Sequence, residues 1–294
     1  MFSGSYVALM TPFRAGTIDE EALRNLVDFQ IEQGTQGLIP VGTTGESCVL
    51  SNKEHKRVVE IVVEQCAQRI PVIAGAGSNN PAEALEYAQY AERMGADGVL
   101  CVAGYYNRPS QEGLYQHFKM IHDNTDIAML IYNIPPRAVV DITPATMARL
   151  AKLDRVVGVK DATADLNRIN AEQPLITQEF SYFSGEDGTA LAYHALGGNG
   201  CISVTANVAP RLCAKLQNLC AKGNYAQARA VHRQLLPLHS ALFLEPSPAG
   251  VKYAASLLGI CQEQARLPIV AVSETTKKTI GNALLNLGLI DNLG

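Results

Sequence analysis

The chain has 294 residues, of which 47% are hydrophobic and 18% charged, and its formal net charge is -4. This composition is typical of a globular protein and excludes a disordered chain. A mildly acidic chain without a basic cluster binds nucleic acid or anionic membrane poorly. No apolar run is long enough to cross a bilayer, and residues 1–5 do not resemble a signal peptide. We therefore expect a cytoplasmic protein with no nucleic-acid or membrane partner.

The cysteines and histidines give no sign of a covalent or metal-bound framework. There are seven cysteines, an odd number, and no pair has C-x-x-C spacing. No histidine pair has the H-x-x-x-H spacing of many zinc sites. We expect reduced thiols and no metal site built from local motifs.

Short apolar runs recur along the chain, and each is rich in valine, isoleucine or leucine on both faces. That pattern is typical of parallel strands covered by helices. The predicted strands are residues 6–10, 37–41, 72–74, 98–102, 128–132, 156–160, 182–184 and 201–204.

Helix signals lie between most of these runs. The segments Thr17-Ile18-Asp19-Glu20 and Ser51-Asn52-Lys53-Glu54 both match a capping box. Asn80-Pro81 predicts the start of another helix, which we expect to close at Gly95. A weaker helix is predicted around residues 166–172.

Eight strand–helix units predict an α/β protein with a (β/α)8 barrel over residues 1–224. An open, doubly wound sheet gives the same alternation, but eight unbroken units fit a closed barrel better. Residues 225–294 do not continue the rhythm. They predict a C-terminal helical extension packed on the barrel or on a partner subunit.

Lys160 is the first candidate for chemistry because barrel enzymes place their active sites at the carboxyl ends of the strands. It ends the sixth run, in which Val156, Gly158 and Lys160 alternate onto one face. If that face points inward, Gly158 leaves room for the lysine, and burial disfavours its ammonium form. A neutral amine can form a Schiff base with a carbonyl compound. The alternative is a lysine whose charged end reaches solvent.

Two neighbouring strand ends carry further candidates. Tyr132 ends the fifth run and can move protons, and Arg137 follows it and can hold a carboxylate through two hydrogen bonds. The second run ends in Gly42-Thr43-Thr44-Gly45-Glu46, whose hydroxyl and N–H groups can hold a small carboxylate. Taken singly, each is as easily a rim residue, a surface arginine or an ordinary turn.

The loops after the fourth and seventh runs indicate an interface and a ligand without phosphate. Tyr105-Tyr106-Asn107-Arg108-Pro109 follows the fourth run, and such exposed tyrosines are typical of interfaces. Gly185-Glu186-Asp187 follows the seventh run, and its acidic side chains would repel phosphate. No G-x-G-x-x-G motif follows the first run, so a nucleotide cofactor is not expected.

Taken together, these motifs resemble the dihydrodipicolinate synthase / N-acetylneuraminate lyase family of pyruvate-dependent class I aldolases. The resemblance covers nearly the whole chain and rests on three segments. They are residues 37–46, then Tyr132-Asn133-Ile134-Pro135-Pro136-Arg137, then Gly158-Val159-Lys160-Asp161-Ala162. Arg137 and the tyrosine loop favour the branch that condenses pyruvate with L-aspartate 4-semialdehyde. One departure is Ala103-Gly104, where the family commonly has a proline before the tyrosine pair.

The resemblance implies a reaction and a set of roles. Lys160 would form a Schiff base with pyruvate, Tyr132 would donate and accept protons, and Thr43 would relay them with Tyr106 of the partner subunit. Arg137 would hold the carboxylate of the second substrate. No metal or organic cofactor is implied. Pyruvate itself would be held by three further residues, namely Thr44, Gly185 and the main chain of Ile202.

The resemblance also implies an assembly and a regulator. Family members are usually homotetramers built as a dimer of dimers, and many bacterial members bind L-lysine as a feedback inhibitor. Asn52 stands where inhibited members often have a histidine. The matching lysine-site positions are Ser47, Cys48, Asn52, His55, Asn79, Glu83 and Tyr105.

Three rival functions stay open. The first is another pyruvate-dependent aldolase, such as a lyase for N-acetylneuraminate or a 2-keto-3-deoxy sugar acid, and Arg137 argues against it. The second is an inactive barrel that binds keto acids as a sensor or scaffold. The third is a metal-dependent barrel aldolase, which would be sensitive to EDTA.

Overall fold

A computed structural model describes residues 1–292, and eight parallel strands in it form a barrel. Hydrogen bonds from Leu38 N to Pro71 O and from Gly75 N to Pro40 O, both 2.9 Å, join the second strand to the third. This contact closes the sheet, so the barrel prediction is confirmed and the open sheet is excluded. The strands are β1 (Gly4–Ala8), β2 (Gly37–Ile39), β3 (Ile73–Gly75), β4 (Gly98–Val102), β5 (Ala128–Asn133), β6 (Val156–Asp161), β7 (Ser181–Ser184) and β8 (Gly200–Ser203).

Helices surround the barrel and continue past its last strand. Short 3-10 turns lie at Ser47–Val49, Gln173–Leu175 and Thr205–Asn207. The α-helices within residues 1–292 are α1 (Glu20–Glu32), α2 (Asn52–Cys66), α3 (Pro81–Met94), α4 (Gln111–Asp123), α5 (Pro135–Ala138), α6 (Pro144–Ala151), α7 (Asn167–Glu172), α8 (Ala190–Ala195), α9 (Pro210–Ala221), α10 (Tyr225–Ala241), α11 (Ala249–Leu257) and α12 (Glu274–Asn286).

The two predicted capping boxes have different outcomes. The box at α2 is confirmed, since Ser51 Oγ accepts from Glu54 N and Glu54 Oε2 accepts from Ser51 N. The box at Thr17 is wrong, because Asp19 caps α1 by accepting from the N–H of Ala22. Thr17–Ile18 instead pairs with Phe13–Arg14 in a small hairpin. The two turn residues between them both have positive φ, the geometry that suits the twist of paired strands.

The barrel interior is filled by buried side chains from every strand except β6, here called the interior layer, and the half-buried Val157 of β6 packs against them. Tyr6 and Phe183 meet edge to face, with ring centroids 5.0 Å apart. Tyr132 lies at the edge of this layer and is 6% exposed. The layer consists of Tyr6, Ala8, Ile39, Ile73, Leu100, Leu130, Tyr132, Phe183 and Ile202.

A register shift between β5 and β6 explains why Val156 does not point into the barrel interior. Between Met129 and Leu130 the pairing skips a residue, so Met129 faces Val156 while Leu130 faces Gly158. Val156 consequently packs in the outer core between strands and helices, and its predicted place beside Gly158 and Lys160 is wrong. A Cβ on Gly158 would lie 2.4 Å from Ser181 O and 2.7 Å from the side chain of Leu130. The glycine thus makes room for β7 and for the interior layer.

We expect Gly158→Ala to destabilise the fold by about 1–3 kcal/mol, because the added methyl group overlaps backbone that cannot move freely. Urea unfolding followed by circular dichroism measures this loss. Gly104→Ala is the matched control, since its added Cβ would make only ordinary contacts, at 3.5 Å from Pro109. Equal stability of the two variants would contradict the packing role.

The C-terminal helices are present as predicted. Helix α10 packs on α9, and α12 packs on both α10 and α11. Pro237 lies inside α10. The domain division at residue 224 stays a prediction, and residues 293–294 of the predicted extension lie outside the described part. Within that part, no helix is long and apolar enough to span a membrane.

Candidate active site

Lys160 lies at the carboxyl end of β6 and points into the barrel. Only 6% of its surface is exposed, and its Nζ lies 4.2 Å from the centre of the Tyr132 ring. The two residues are directly opposite each other in the β5–β6 pairing. The face of β6 that carries Lys160 therefore points inward. Its amine lies against an aromatic ring rather than in solvent.

The threonine turn after β2 lies at the same end of the barrel. Thr44 is 4% exposed and Thr43 is half-buried. Thr11 Oγ1 donates to Gly45 O at 2.7 Å and ties the turn to the loop after β1. A Cβ on Gly45 would lie 3.0 Å from backbone atoms, so the turn has no room for a side chain there. Glu46, with φ of 57°, ends the turn in the left-handed region.

The loop after β5 brings Arg137 over the site. Residues Pro135–Ala138 form the single helical turn α5, and both prolines stand at its start. The Arg137 side chain is exposed and takes part in none of the ion pairs among residues 1–292. Its guanidinium is therefore available for an incoming carboxylate.

A cavity of about 210 Å³ connects several of these groups. Thr43 reaches the cavity from the turn after β2, Tyr132 and Arg137 reach it from the end of β5, and Leu100 and Val102 of β4 supply apolar wall. Tyr132 bridges the cavity to Lys160. An apolar pocket with a few converging polar groups is the usual form of a small-molecule site.

Gly185 follows β7, which pairs with the strand that carries Lys160, and Ile202 lies in the next strand, β8. A Cβ on Gly185 would lie 3.2 Å from Lys160 Cε, so the glycine leaves the space next to the lysine stem open. Ile202 is 1% exposed and belongs to the interior layer. Neither residue lines the cavity itself.

Comparison with known proteins identifies the family. A model of the dihydrodipicolinate synthetase family matches residues 1–287. A relative from Parvibaculum lavamentivorans, named 4-hydroxy-tetrahydrodipicolinate synthase, is 55% identical over 291 residues, which are 99% of this chain and 100% of that protein. This chain belongs to the dihydrodipicolinate synthetase family.

Solved structures in the family extend the match to three dimensions. The chloride-inhibited dihydrodipicolinate synthase from Acinetobacter baumannii, complexed with pyruvate, has a TM-score of 0.96 at 39% identity and covers 99% of this chain and 100% of its own. The enzyme from Cyanidioschyzon merolae with lysine bound has a TM-score of 0.95 at 32% identity, with coverages of 98% and 99%.

The tyrosine loop after β4 divides its two aromatic residues. Tyr105 lines the cavity, whereas Tyr106 is 87% exposed and points away from the core of its own chain. Tyr106 and Arg108 both have positive φ, and Asn107 Nδ2 anchors the loop by donating to Asn79 O at 2.7 Å. Within one chain, Tyr106 therefore does not join the predicted catalytic group.

The seven residues predicted for a lysine site do not form one cluster. Ser47, Cys48 and Tyr105 line the same cavity as Thr43. Elsewhere, the buried His55 and the half-buried Glu83 are joined through a residue that the sequence did not single out.

That residue is Tyr87, whose ring stacks on His55 with centroids 3.8 Å apart and whose hydroxyl donates to Glu83 Oε1 at 3.2 Å. Burial lowers the pKa of His55 to about 4, so its ring is neutral. Asn52 is turned toward Glu86, and Asn79 contributes its carbonyl to the tyrosine loop. The spacing of Glu83 and Tyr87, four apart on α3, was the signal that could have found Tyr87.

Two polar contacts near the site were missed by sequence reasoning. Asn133, next to Tyr132, donates to Asp141 Oδ1 and accepts from Ile142 N, which fixes the path of the Arg137 loop. Glu46 pairs with Lys252 beneath the threonine turn. Glu46 and Lys252 are distant in sequence, and Asn133 and Asp141 lie eight residues apart across an irregular loop, so no periodic pattern marks either contact.

Proposed function

We propose that the chain condenses pyruvate with L-aspartate 4-semialdehyde to 4-hydroxy-tetrahydrodipicolinate, the reaction that its curated relatives are named for. The observation that carries the proposal is Lys160, a buried lysine whose amine faces Tyr132 beside a cavity that Arg137 also lines. The product is a precursor of lysine and meso-diaminopimelate. The chain is accordingly a lyase of amino-acid biosynthesis.

The reaction begins at the amine of Lys160. It attacks the keto carbon of pyruvate, and loss of water gives a Schiff base. Removal of a proton from the methyl group gives an enamine, whose carbon attacks the aldehyde of the second substrate. The amino group of that substrate then closes the ring, and Lys160 is released as a free amine.

Proton transfer and substrate binding fall to the neighbouring groups. Tyr132, closest to the amine, donates and accepts the protons of these steps, and Thr43 relays them across the cavity. Thr44 and the main chain of Ile202 hold the pyruvate carboxylate, and Gly185 leaves space beside it. Arg137 holds the carboxylate of L-aspartate 4-semialdehyde.

The rival acceptors are the aldehydes used by sugar-acid lyases of the same family. The test compares pyruvate consumption with L-aspartate 4-semialdehyde and with N-acetylmannosamine at equal concentration. We expect turnover with the first only, since Arg137 provides a carboxylate contact that a neutral sugar does not use. Turnover with the sugar alone would overturn the proposed acceptor. EDTA is expected to leave the rate unchanged.

We also propose a homotetramer in which Tyr106 of the partner subunit completes the proton relay. The exposure of Tyr106 on an otherwise ordered loop supports this arrangement, because large aromatic side chains favour interfaces. Sedimentation velocity measures the assembly, and mixing Tyr106→Phe with Lys160→Ala chains tests the shared site. Activity that recovers in mixed oligomers supports sharing, and activity that stays absent contradicts it.

L-Lysine is proposed as a feedback inhibitor that binds near Glu83. A buried contact between its ammonium and the Glu83 carboxylate is strong because both groups are charged. We expect Glu83→Gln to weaken inhibition by about 10-fold or more while the uninhibited rate is kept. Glu92→Gln on the same helix is the control. A wild-type rate that stays flat up to millimolar L-lysine would contradict the site.

A further inference from the structure

The turn that carries Thr43 and Thr44 ends in a buried carboxylate. Glu46 is 3% exposed, has a φ of 57° and follows Thr44 by two residues. Its Oε2 accepts from the backbone N–H of Arg266 at 2.9 Å, and its Oε1 forms an ion pair with Lys252 Nζ. A non-glycine residue in the left-handed region is held there by its surroundings. Here they combine backbone hydrogen bonds of the turn, such as Glu46 N to Thr43 O at 3.1 Å, with the contacts from the C-terminal extension.

Lys252 is the more unusual member of this pair, because it is fully buried. It lies on α11, and its Nζ donates to Gln264 O at 2.8 Å and stands 4.1 Å from the centre of the Phe13 ring. Burial lowers the pKa of Lys252, whereas the carboxylate of Glu46 opposes that shift. The proposed chemistry uses neither residue.

Arg266 secures the segment that follows Glu46. Its side chain donates to Val49 O at 3.0 Å and pairs with Glu54, which completes the capping box of α2 with Ser51. Hydrogen bonding to Arg266 lowers the pKa of Glu54 to about 2, so the pair stays charged. The C-terminal extension therefore contacts both ends of the segment 46–54, although residues 252 and 266 are about two hundred positions away in sequence.

We infer that Lys252 is a positioning residue for pyruvate: through its ion pair with Glu46 it holds the Thr43-Thr44 turn in the orientation that binds the pyruvate carboxylate. The inference rests on the proposed function, in which that turn holds pyruvate. A buried ion pair often adds little net stability, and an apolar replacement of both partners can be neutral. A pair that serves only the fold would thus leave pyruvate binding unchanged when it is replaced.

The test compares wild type with Lys252→Met and with the double variant Glu46→Gln/Lys252→Met. Methionine keeps the length of the stem without its charge. The double variant also removes the uncompensated carboxylate, so it folds even where the single variant does not. Lys277→Met is the matched control, since Lys277 lies in the same extension but pairs at the surface with Glu263 and Glu274.

Two quantities are measured well below the melting temperature of each variant. The first is the pyruvate concentration that gives half-maximal borohydride trapping on Lys160, which needs no second substrate. The second is the set of steady-state constants, that is, kcat and the KM of each substrate. We expect the pyruvate concentration and the pyruvate KM to rise on the order of 10-fold or more in both Lys252 variants. We expect the KM of L-aspartate 4-semialdehyde to stay within about twofold and the control to match wild type.

The possible failures are distinct. Unchanged pyruvate trapping in a folded Lys252 variant would overturn the inference and leave the proposed function standing. An equal rise in Lys277→Met would also overturn it, because the effect would then belong to the extension as a whole. Wild-type trapping without consumption of L-aspartate 4-semialdehyde would instead overturn the proposed acceptor, while the trapping curves still test the role of Lys252. No trapping in wild type would overturn both.

Discussion

Lys160→Ala is expected to abolish the borohydride-trapped pyruvate adduct and to lower condensation by at least about 10³-fold, because no other amine can replace the nucleophile. Lys160 Nζ lies 4.2 Å from the centre of the Tyr132 ring, and the residue is only 6% exposed. The protein is incubated with pyruvate and reduced with borohydride, and intact-protein mass spectrometry then measures the adduct. Circular dichroism confirms that the variant is folded.

Two controls separate nucleophilic attack from charge. Lys160→Arg keeps a cation of similar length but cannot form a Schiff base, so we expect it to be as inactive as the alanine variant. Lys222→Ala removes an exposed lysine far from the cavity and should keep the adduct. An adduct that persists in Lys160→Ala, on any other lysine, would contradict the assignment of the nucleophile.

Arg137→Ala is expected to reduce kcat/KM for L-aspartate 4-semialdehyde by about 10- to 100-fold and to leave pyruvate trapping intact. Arg137 lines the cavity with an exposed guanidinium. Its loop is held by the two prolines that precede it and by the hydrogen bond between Asn133 and Asp141. Removing it leaves the acceptor carboxylate without its partner. Steady-state kinetics at saturating pyruvate, with trapping measured in parallel, checks both parts.

The conservative variant sharpens that result. Arg137→Lys keeps the charge but loses the two parallel donors, so it should fall between wild type and Arg137→Ala. Arg211→Ala, an exposed arginine on α9, is the control and should behave as wild type. Loss of pyruvate trapping with normal use of the acceptor would reverse the role given to Arg137.

The strand order and the closed barrel were predictable because each strand is a short apolar run with its own helix after it. Local deviations were not. The hairpin at Phe13–Arg14 and Thr17–Ile18 depends on two turn residues with positive φ, of which Ala15 gives no signal. The register shift near Met129 depends on a neighbouring strand, so alternation alone placed Val156 on the wrong face.

The candidate site divides in the same way. Lys160, Tyr132 and Arg137 could be found because each stands at or just after a strand end, where barrel sites lie. The supporting contacts around the site could not be predicted from the sequence. Glu46 meets Lys252 from another part of the chain, and the ring of His55 on α2 stacks on that of Tyr87 on α3. Long-range pairs of this kind leave no periodic pattern in a single sequence.

The central claim is tested most directly by measuring pyruvate consumption with L-aspartate 4-semialdehyde as acceptor and Lys160→Ala as the blank. We expect consumption that requires both substrates and disappears in the variant. That result would establish the reaction and its nucleophile together. Consumption equal in wild type and variant, or none in wild type while N-acetylmannosamine is turned over, would contradict the proposed reaction.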